Sequence, residues 1–282
     1  MRYPHVDGDE NERTQSGGRR IHGASVLALG FLVALAAAAA LSPGRSASGH
    51  TFVPALRSLA PPLDHFKCYV PKQHIVPNPP TGILLRDQFA GGKFRKVGVK
   101  SLFRFCNPVK KVFAGAVTPI RYPALHLSFY GITTPLPGNH TIVLSNQFGS
   151  QKIVIGPAKW IAVPTSKNSK ALPSPKLLNH FECYPVLEGR APQATVTLID
   201  QWHAEKGVAL GGPVTFCNPT EKVRAGKRSP LVNTSAHLTC YRLAAKPFAQ
   251  KLQIRNQFNT TTLAVSGADM FCVPSLKLRH VP

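Results

Sequence analysis

The sequence predicts an all-β protein: two tandem disulfide-stapled β units, sandwich- or barrel-like, each an internal pseudo-repeat of about 55 residues. Three observations lead there. The chain carries 26 prolines and 22 glycines, a density that suits turn-rich β structure and not helical bundles. Beyond residue 50 no stretch sustains a 3.6-residue apolar period. Finally, four segments repeat one grammar in constant order.

The first quarter runs DHFKCY (64–69), LLRDQF (84–89), RKVGV (95–99), RFCNPVKK (104–111). The second runs LHLSFY (125–130), IVLSNQF (142–148), QKIVIG (151–156), WIAVPTSK (160–167). The third is NHFECY (179–184), VTLIDQW (196–202), KGVALG (206–211), TFCNPTEK (215–222). The fourth is AHLTCY (236–241), LQIRNQF (252–258), TTLAVSG (261–267), MFCVPSLK (270–277). Each reads as a strand followed by a hairpin: 141–144 and 152–155, for example, are β-branched runs joined by a polar, Gly-containing connection. Because strand side chains alternate, Val196, Leu198 and Asp200 share one face and Thr197 and Ile199 the other. Three strands per quarter give roughly twelve in all.

In chain order, residues 1–48 read as a signal region. Arg19 and Arg20 precede an uncharged apolar run (24–41) and then the small, turn-forming SPGRSASG, the layout of an export signal, with an uncleaved N-terminal membrane anchor as the alternative. If the signal is cleaved, no membrane span is expected in the mature chain. Residues 49–61 are a linker, 62–167 the first unit, 168–178 a Ser-, Pro- and Lys-rich linker, and 179–282 the second unit. One continuous four-unit array is the competing arrangement.

The six cysteines allow fifteen pairings. Aligning quarter two with quarter four sets Phe129 opposite Cys240 and Ala162 opposite Cys272, so quarter two has lost both of its cysteines. Bonds between neighbouring quarters would leave partners stranded; bonds within quarters would not. The expected disulfides are Cys68–Cys106, Cys183–Cys217 and Cys240–Cys272, with Phe129 and Ala162 filling the vacated place. Each closes a loop worth roughly 3 to 4 kcal/mol in a loop-entropy account, and an oxidised framework fits an exported chain.

Charge is the main functional hint. There are 34 Lys and Arg against 12 Asp and Glu, a field that attracts anionic partners. Lys93, Arg95 and Lys96, then Lys110 and Lys111, are candidate contacts for anionic envelope polymers or polysaccharide, and 224–228 (RAGKR) is a further basic cluster. Nucleic acid is not expected as a partner of an exported protein. The H-x-x-C pairs His65/Cys68, His180/Cys183 and His237/Cys240 could suggest zinc. Residues three apart on a strand face opposite ways, however, and His126 persists where its cysteine is gone, so the histidines read as structural. Similarly, the [DN]-Q-[FW] aromatics Phe89, Phe148, Trp202 and Phe258 could stack on a sugar, but fourfold recurrence favours core anchors with Asx-turns. Asn146 and Asn256 stand where Asp87 and Asp200 occur, and an amide cannot act as a general base. There is no G-x-S-x-G, H-E-x-x-H or Gly-rich phosphate loop. Trp202-His203 with Glu205 is the one local cluster that mixes aromatic, imidazole and carboxylate, and it reads as a turn tip.

The frame H-[FL]-x-C-Y … [DN]-Q-F … C-x-P resembles uncharacterised repeat domains of secreted bacterial proteins, over about residues 63 to 278. The resemblance brings no activity, cofactor or metal. The expectation is an exported, non-catalytic binding or structural module of the cell envelope or extracellular space, without catalytic, cofactor or metal residues. A secreted hydrolase with a site assembled across the units is the alternative.

Overall fold

The computed structural model describes residues 63–281, except 74, 75, 77, 135–137, 170, 175 and 245. The expected signal region and the linker 49–61 lie outside the described residues.

Quarter one contains β1 (His65–Pro71), β2 (Ile83–Arg86), β3 (Arg95–Val97), β4 (Val99–Phe113) and β5 (Ala116–Thr118). Quarter two contains β6 (His126–Ile132), β7 (His140–Asn146), β8 (Gly149–Ile155) and β9 (Trp160–Lys167). Quarter three follows with β10 (His180–Glu188), β11 (Thr195–Ile199), β12 (Ala204–Ala209), β13 (Pro213–Arg224) and β14 (Lys227–Ser229). Quarter four has β15 (His237–Arg242), β16 (Gln250–Arg255) and β17 (Thr260–Val281). The count exceeds the expected twelve because the segment around each C-x-P position is itself a strand, continuous with the second hairpin strand in quarter four, and because quarters one and three add the short strands β5 and β14.

The first strand of each quarter and the strand that carries its second cysteine position form a closed antiparallel ring of eight, in the order β1, β4, β6, β9, β10, β13, β15, β17 and back to β1. Closure leaves no open edge in the ring itself. The two repeat units each supply four of its strands, and the β9–β10 and β17–β1 pairings make them halves of one barrel.

The disulfides are Cys68–Cys106, Cys183–Cys217 and Cys240–Cys272, each joining residues directly opposite on the two ring strands of one quarter. In quarter two the equivalent opposed pair is Phe129 and Ala162, both fully buried. All eight ring strands contribute to the cluster that holds these residues, and no hairpin residue joins it. Only the inside of a closed ring can gather side chains from all its strands without a covering layer.

The alternate side chains of the ring strands, among them Tyr69, Tyr130, Tyr184 and Tyr241, pack with the hairpins in a second cluster. Each hairpin adds to the far end of a ring strand from the diagonally opposite quarter. β2 pairs with β13, β11 with β4, β7 with β17 and β16 with β9. Val196, Leu198 and Asp200 are buried while Thr197 and Ile199 are half-buried, the alternation the sequence predicts.

Candidate functional site

The diagonal docking is fixed by four copies of one polar contact. In every hairpin turn the Asp or Asn of the triplet accepts, through Oδ1, the backbone N–H two residues on: Phe89 to Asp87 (2.9 Å), Phe148 to Asn146 (2.9 Å), Trp202 to Asp200 (3.0 Å) and Phe258 to Asn256 (2.9 Å). These are the expected Asx-turns. The other side-chain atom reaches the tyrosine of the opposite quarter. Tyr184 and Tyr69 donate to Asp87 and Asp200, both at 2.6 Å, whereas Asn256 and Asn146 donate to the Tyr130 and Tyr241 hydroxyls at 2.7 and 2.9 Å.

The Asp–Asn alternation thus follows from donor and acceptor counting. Around each aspartate the second donor is the amide of Asn218 (2.9 Å) or Asn107 (3.2 Å), from the C-N-P segment. Around each asparagine the second acceptor is the hydroxyl of Thr165 (3.3 Å) or Ser275 (3.2 Å), from V-P-[TS]. The triplet aromatics stand edge-on to the same tyrosines, with centroids 4.6 to 5.4 Å apart, so they are anchors. Burial, then the neighbouring Asp200, raises the Tyr69 hydroxyl well above its ordinary value; burial and Asp87 do the same at Tyr184.

The histidines are structural. His65 bonds Gln147 (2.8 Å), His180 receives the Gln257 amide, and His237 lies against the Ser235 carbonyl (3.0 Å). His126 stacks on Phe105. Burial pushes His65 and His237 down to about 4 and His126 and His180 to about 3, so all four are neutral. Among the described residues no group of three or more His, Cys, Asp or Glu is arranged to hold a metal.

The Trp202–His203–Glu205 tip meets Lys67 from the opposite quarter: the buried Lys67 ammonium bonds both His203 (2.9 Å) and Glu205. Burial opposes ionisation of Glu205, but the hydrogen bond and charge of Lys67, with His203, outweigh it and hold the carboxyl below its ordinary value. The reciprocal position carries the opposite polarity, Glu182 on the ring and Arg95 on the hairpin. A carboxylate held ionised by such partners is a strut, and the swapped charges match each hairpin to its own docking place.

One place is different. Lys222 and Arg224 at the end of β13, with Lys227 and Arg228 on β14, line a cavity of about 610 Å³ together with His180, Gln257 and an apolar wall of Pro164, Leu172 and Pro173. No carboxylate is among its lining residues, although Arg228 pairs with Glu221 of β13, which also takes Arg86. Ala225 (φ 47°) and Gly226 (φ 71°) make the tight turn between the two strands; both central residues of this turn type need positive φ, which glycine supplies without strain. Lys222 is buried, and its ammonium donates to the neutral Gln257 carbonyl oxygen. Burial, then Arg224, pushes it down to about 8. Arg224 lies over the Phe258 ring, 5.6 Å from its centroid, and donates to the Gln257 backbone carbonyl. Such a cavity offers cationic donors on one side and hydrocarbon on the other.

Residues 126–274 match the model of a family described as a repeat of unknown function, DUF7450. The chain belongs to this family. The matched span opens at the first residue of β6 and closes within β17, so it takes in quarters two to four, and the first quarter repeats the same element order outside it. No curated protein and no solved structure matches the chain. Membership supports the repeat architecture and assigns no chemistry.

The five basic residues singled out from the sequence fall in two places. Lys93 and Lys96 are exposed on the first hairpin, and Arg95 is taken up by Glu182. Lys96 stands in register with Leu84, Val223 and Arg228 across β3, β2, β13 and β14, which brings it to the sheet that carries the basic arm. Lys110 and Lys111 pair instead with β11; Lys111 is buried and its ammonium lies 5.8 Å from the Phe113 centroid. Lys222 lies outside the basic clusters visible in the sequence. The available signal was a lysine five residues after the cysteine position in every quarter: Lys111, Lys167, Lys222 and Lys277. Burial lowers all four amines.

Proposed function

We propose that the protein is an exported, non-catalytic binding module of the cell envelope or extracellular space that holds anionic polymers on its β13–β14 arm. The observation that carries this is the 610 Å³ cavity lined by Lys222, Arg224 and Lys227, beside an Arg228 that Glu221 already pairs, with no lining carboxylate. Cationic walls backed by low-dielectric surface concentrate anionic ligands. Lys96, two strands away from β13 in the same sheet, extends the positive track along which a chain could lie. The apolar run ahead of residue 42 and the oxidised cysteine framework support an exported location.

The test uses immobilised polygalacturonate and dextran sulfate with increasing NaCl. The wild-type chain should elute with a steep salt dependence. A triple variant, Arg224→Phe with Lys227→Ala and Arg228→Val, copies the side chains of the first quarter at those positions and should weaken retention by about tenfold or more, because Arg224 and Lys227, which form no ion pair among the described residues, are both lost. Equal retention of the two proteins would overturn the proposal.

A further inference from the structure

A second cavity, about 370 Å³, opens where β9 and β13 begin and β15 ends, between the inner parts of β4 and β17. Its floor is the top of the ring interior, because Phe103, Trp160 and Val214 pack on the cluster that holds the disulfides. Ligand sites recur in such barrel mouths. Three features face into it. Phe103 and Trp160 are stacked with centroids 4.7 Å apart and form an aromatic wall. Arg104 lies over Phe103 at 4.0 Å and forms a two-point pair with Asp269, at 2.8 and 2.6 Å. Both members of that pair are partly exposed. Arg242 completes the rim, and its guanidinium is in none of the ion pairs among the described residues. Its backbone is clasped by Gly211 and Gly212, through bonds of 2.9 and 3.1 Å. A Cβ at residue 211 would come within 3.0 Å of the Arg242 Cβ, so a glycine there lets the strands close and sets the arginine over the mouth.

We infer that this mouth is a subsite for a hexuronate ring. Trp160, the ring of the stacked pair that Arg104 does not cover, takes the apolar C–H face of a pyranose. A planar Arg–Asp pair presents donors and acceptors side by side, the pattern that a vicinal diol satisfies. Arg242 then remains as the one uncompensated charge, and a ring carboxylate meets it. A neutral hexose satisfies the first two groups and leaves the third alone. A bare phosphate satisfies the third and leaves the wall uncovered. The choice of a uronate over a neutral sugar rests on the anionic-polymer reading, whereas the sugar-ring wall stands independently of it.

The chain has two tryptophans, and Phe occupies the Trp202 position in the other three quarters, so Trp202→Phe leaves Trp160 as the single reporter. Titration of that protein with a galacturonate trimer should give a saturable fluorescence change, and maltotriose should bind about tenfold or more weakly, the worth of a charge-assisted hydrogen bond. Arg242→Gln, at an exposed side chain, should remove the preference while leaving the fold intact by circular dichroism. The Arg224→Phe, Lys227→Ala, Arg228→Val variant should titrate like its parent. Equal responses to the two trimers, or a preference that survives Arg242→Gln, overturns the inference. So does a flat titration, and if polygalacturonate retention persists in that case the proposed function stands without this subsite.

Discussion

Two arms of the barrel are the same structure with opposite surfaces. After its C-N-P the first quarter continues to Lys111 and then FAGAVT (113–118); the third continues to Lys222 and then RAGKRS (224–229). Both turn through Ala-Gly at positive φ, both pair with a hairpin from the opposite quarter, and both sit beneath a His–Gln contact. On the first arm Phe113 packs edge-on to Phe148, centroids 5.1 Å apart, and Ala116 and Val117 are neutral. On the third, Arg224 takes the place of Phe113 over Phe258, and Lys227 and Arg228 take the places of the other two. One arm is filled with hydrocarbon and the other opens into the basic cavity. The repeat therefore keeps its scaffold and its surface in separate positions: tyrosine, Asp or Asn, cysteine and lysine hold the arm, while three residues around one turn decide what it presents.

The largest effect should come from breaking what the arms share. Asp200 supports the hairpin that pairs with the filled arm, and Asp87 the one that pairs with the basic arm. Asp200→Ala would leave the Tyr69 hydroxyl, the Asn107 amide and two backbone N–H groups without their acceptor. A loss of about 3 kcal/mol or more is expected in urea unfolding, and Asp87→Ala should cost about the same to within roughly 1.5 kcal/mol. Asp200→Asn should also destabilise, since its amide would face the Asn107 donor. Adding Asn107→Val, the residue that quarters two and four carry there, should recover part of the loss. Two single variants that simply add would contradict the donor–acceptor account of the Asp–Asn alternation.

A smaller effect follows from exchanging surfaces. Phe113→Arg should open the filled arm at a cost of about 1 to 2 kcal/mol, because a half-buried aromatic contact is lost while the scaffold stays. The same variant should bind polygalacturonate more tightly than wild type at low salt. Destabilisation without any gain in retention would mean that the basic surface of the third quarter depends on more than these positions.

How much of this was legible is itself explained by the repeat. The cysteine pairing could be read because a double loss in one quarter, Phe129 and Ala162, is informative only when partners lie in the same quarter. The Asx-turns could be read because they join residues two apart. Ring closure could not, since it depends on β17 returning to β1 about 200 residues away and on β9 meeting β10 across a segment of linker composition. Nor could the reason for Asp in two quarters and Asn in the others, because the deciding partners, the Asn107 and Asn218 amides and the Thr165 and Ser275 hydroxyls, lie in the opposite quarter. Basic clusters were visible as clusters, but burial and pairing sort them: Arg95 is consumed by Glu182, Lys111 lies over an aromatic ring, and Arg224 faces a cavity. A charge count carries no information on which of these three fates applies.

The smallest expected effect separates the two arms by proton linkage. Lys222 has an amine held at about 8, below its ordinary 10.5, by burial and then by Arg224. An anion in the cavity favours the charged amine and so raises that value. Affinity for a polyanion should therefore be full below pH 8 and fall as pH rises through it, by about three- to tenfold between pH 7 and 9. Stability moves the other way: above pH 8 the unfolded chain binds the proton that the folded chain has released, so this lysine's contribution to folding improves as pH rises towards 10.5. Weaker binding at pH 9 is consequently not a sign of unfolding. Lys222→Arg should flatten the dependence, because a guanidinium does not titrate in this range. Lys111→Arg, on the filled arm, should leave it unchanged. A pH profile that survives Lys222→Arg would place the titrating group elsewhere and separate the buried amine from the binding surface.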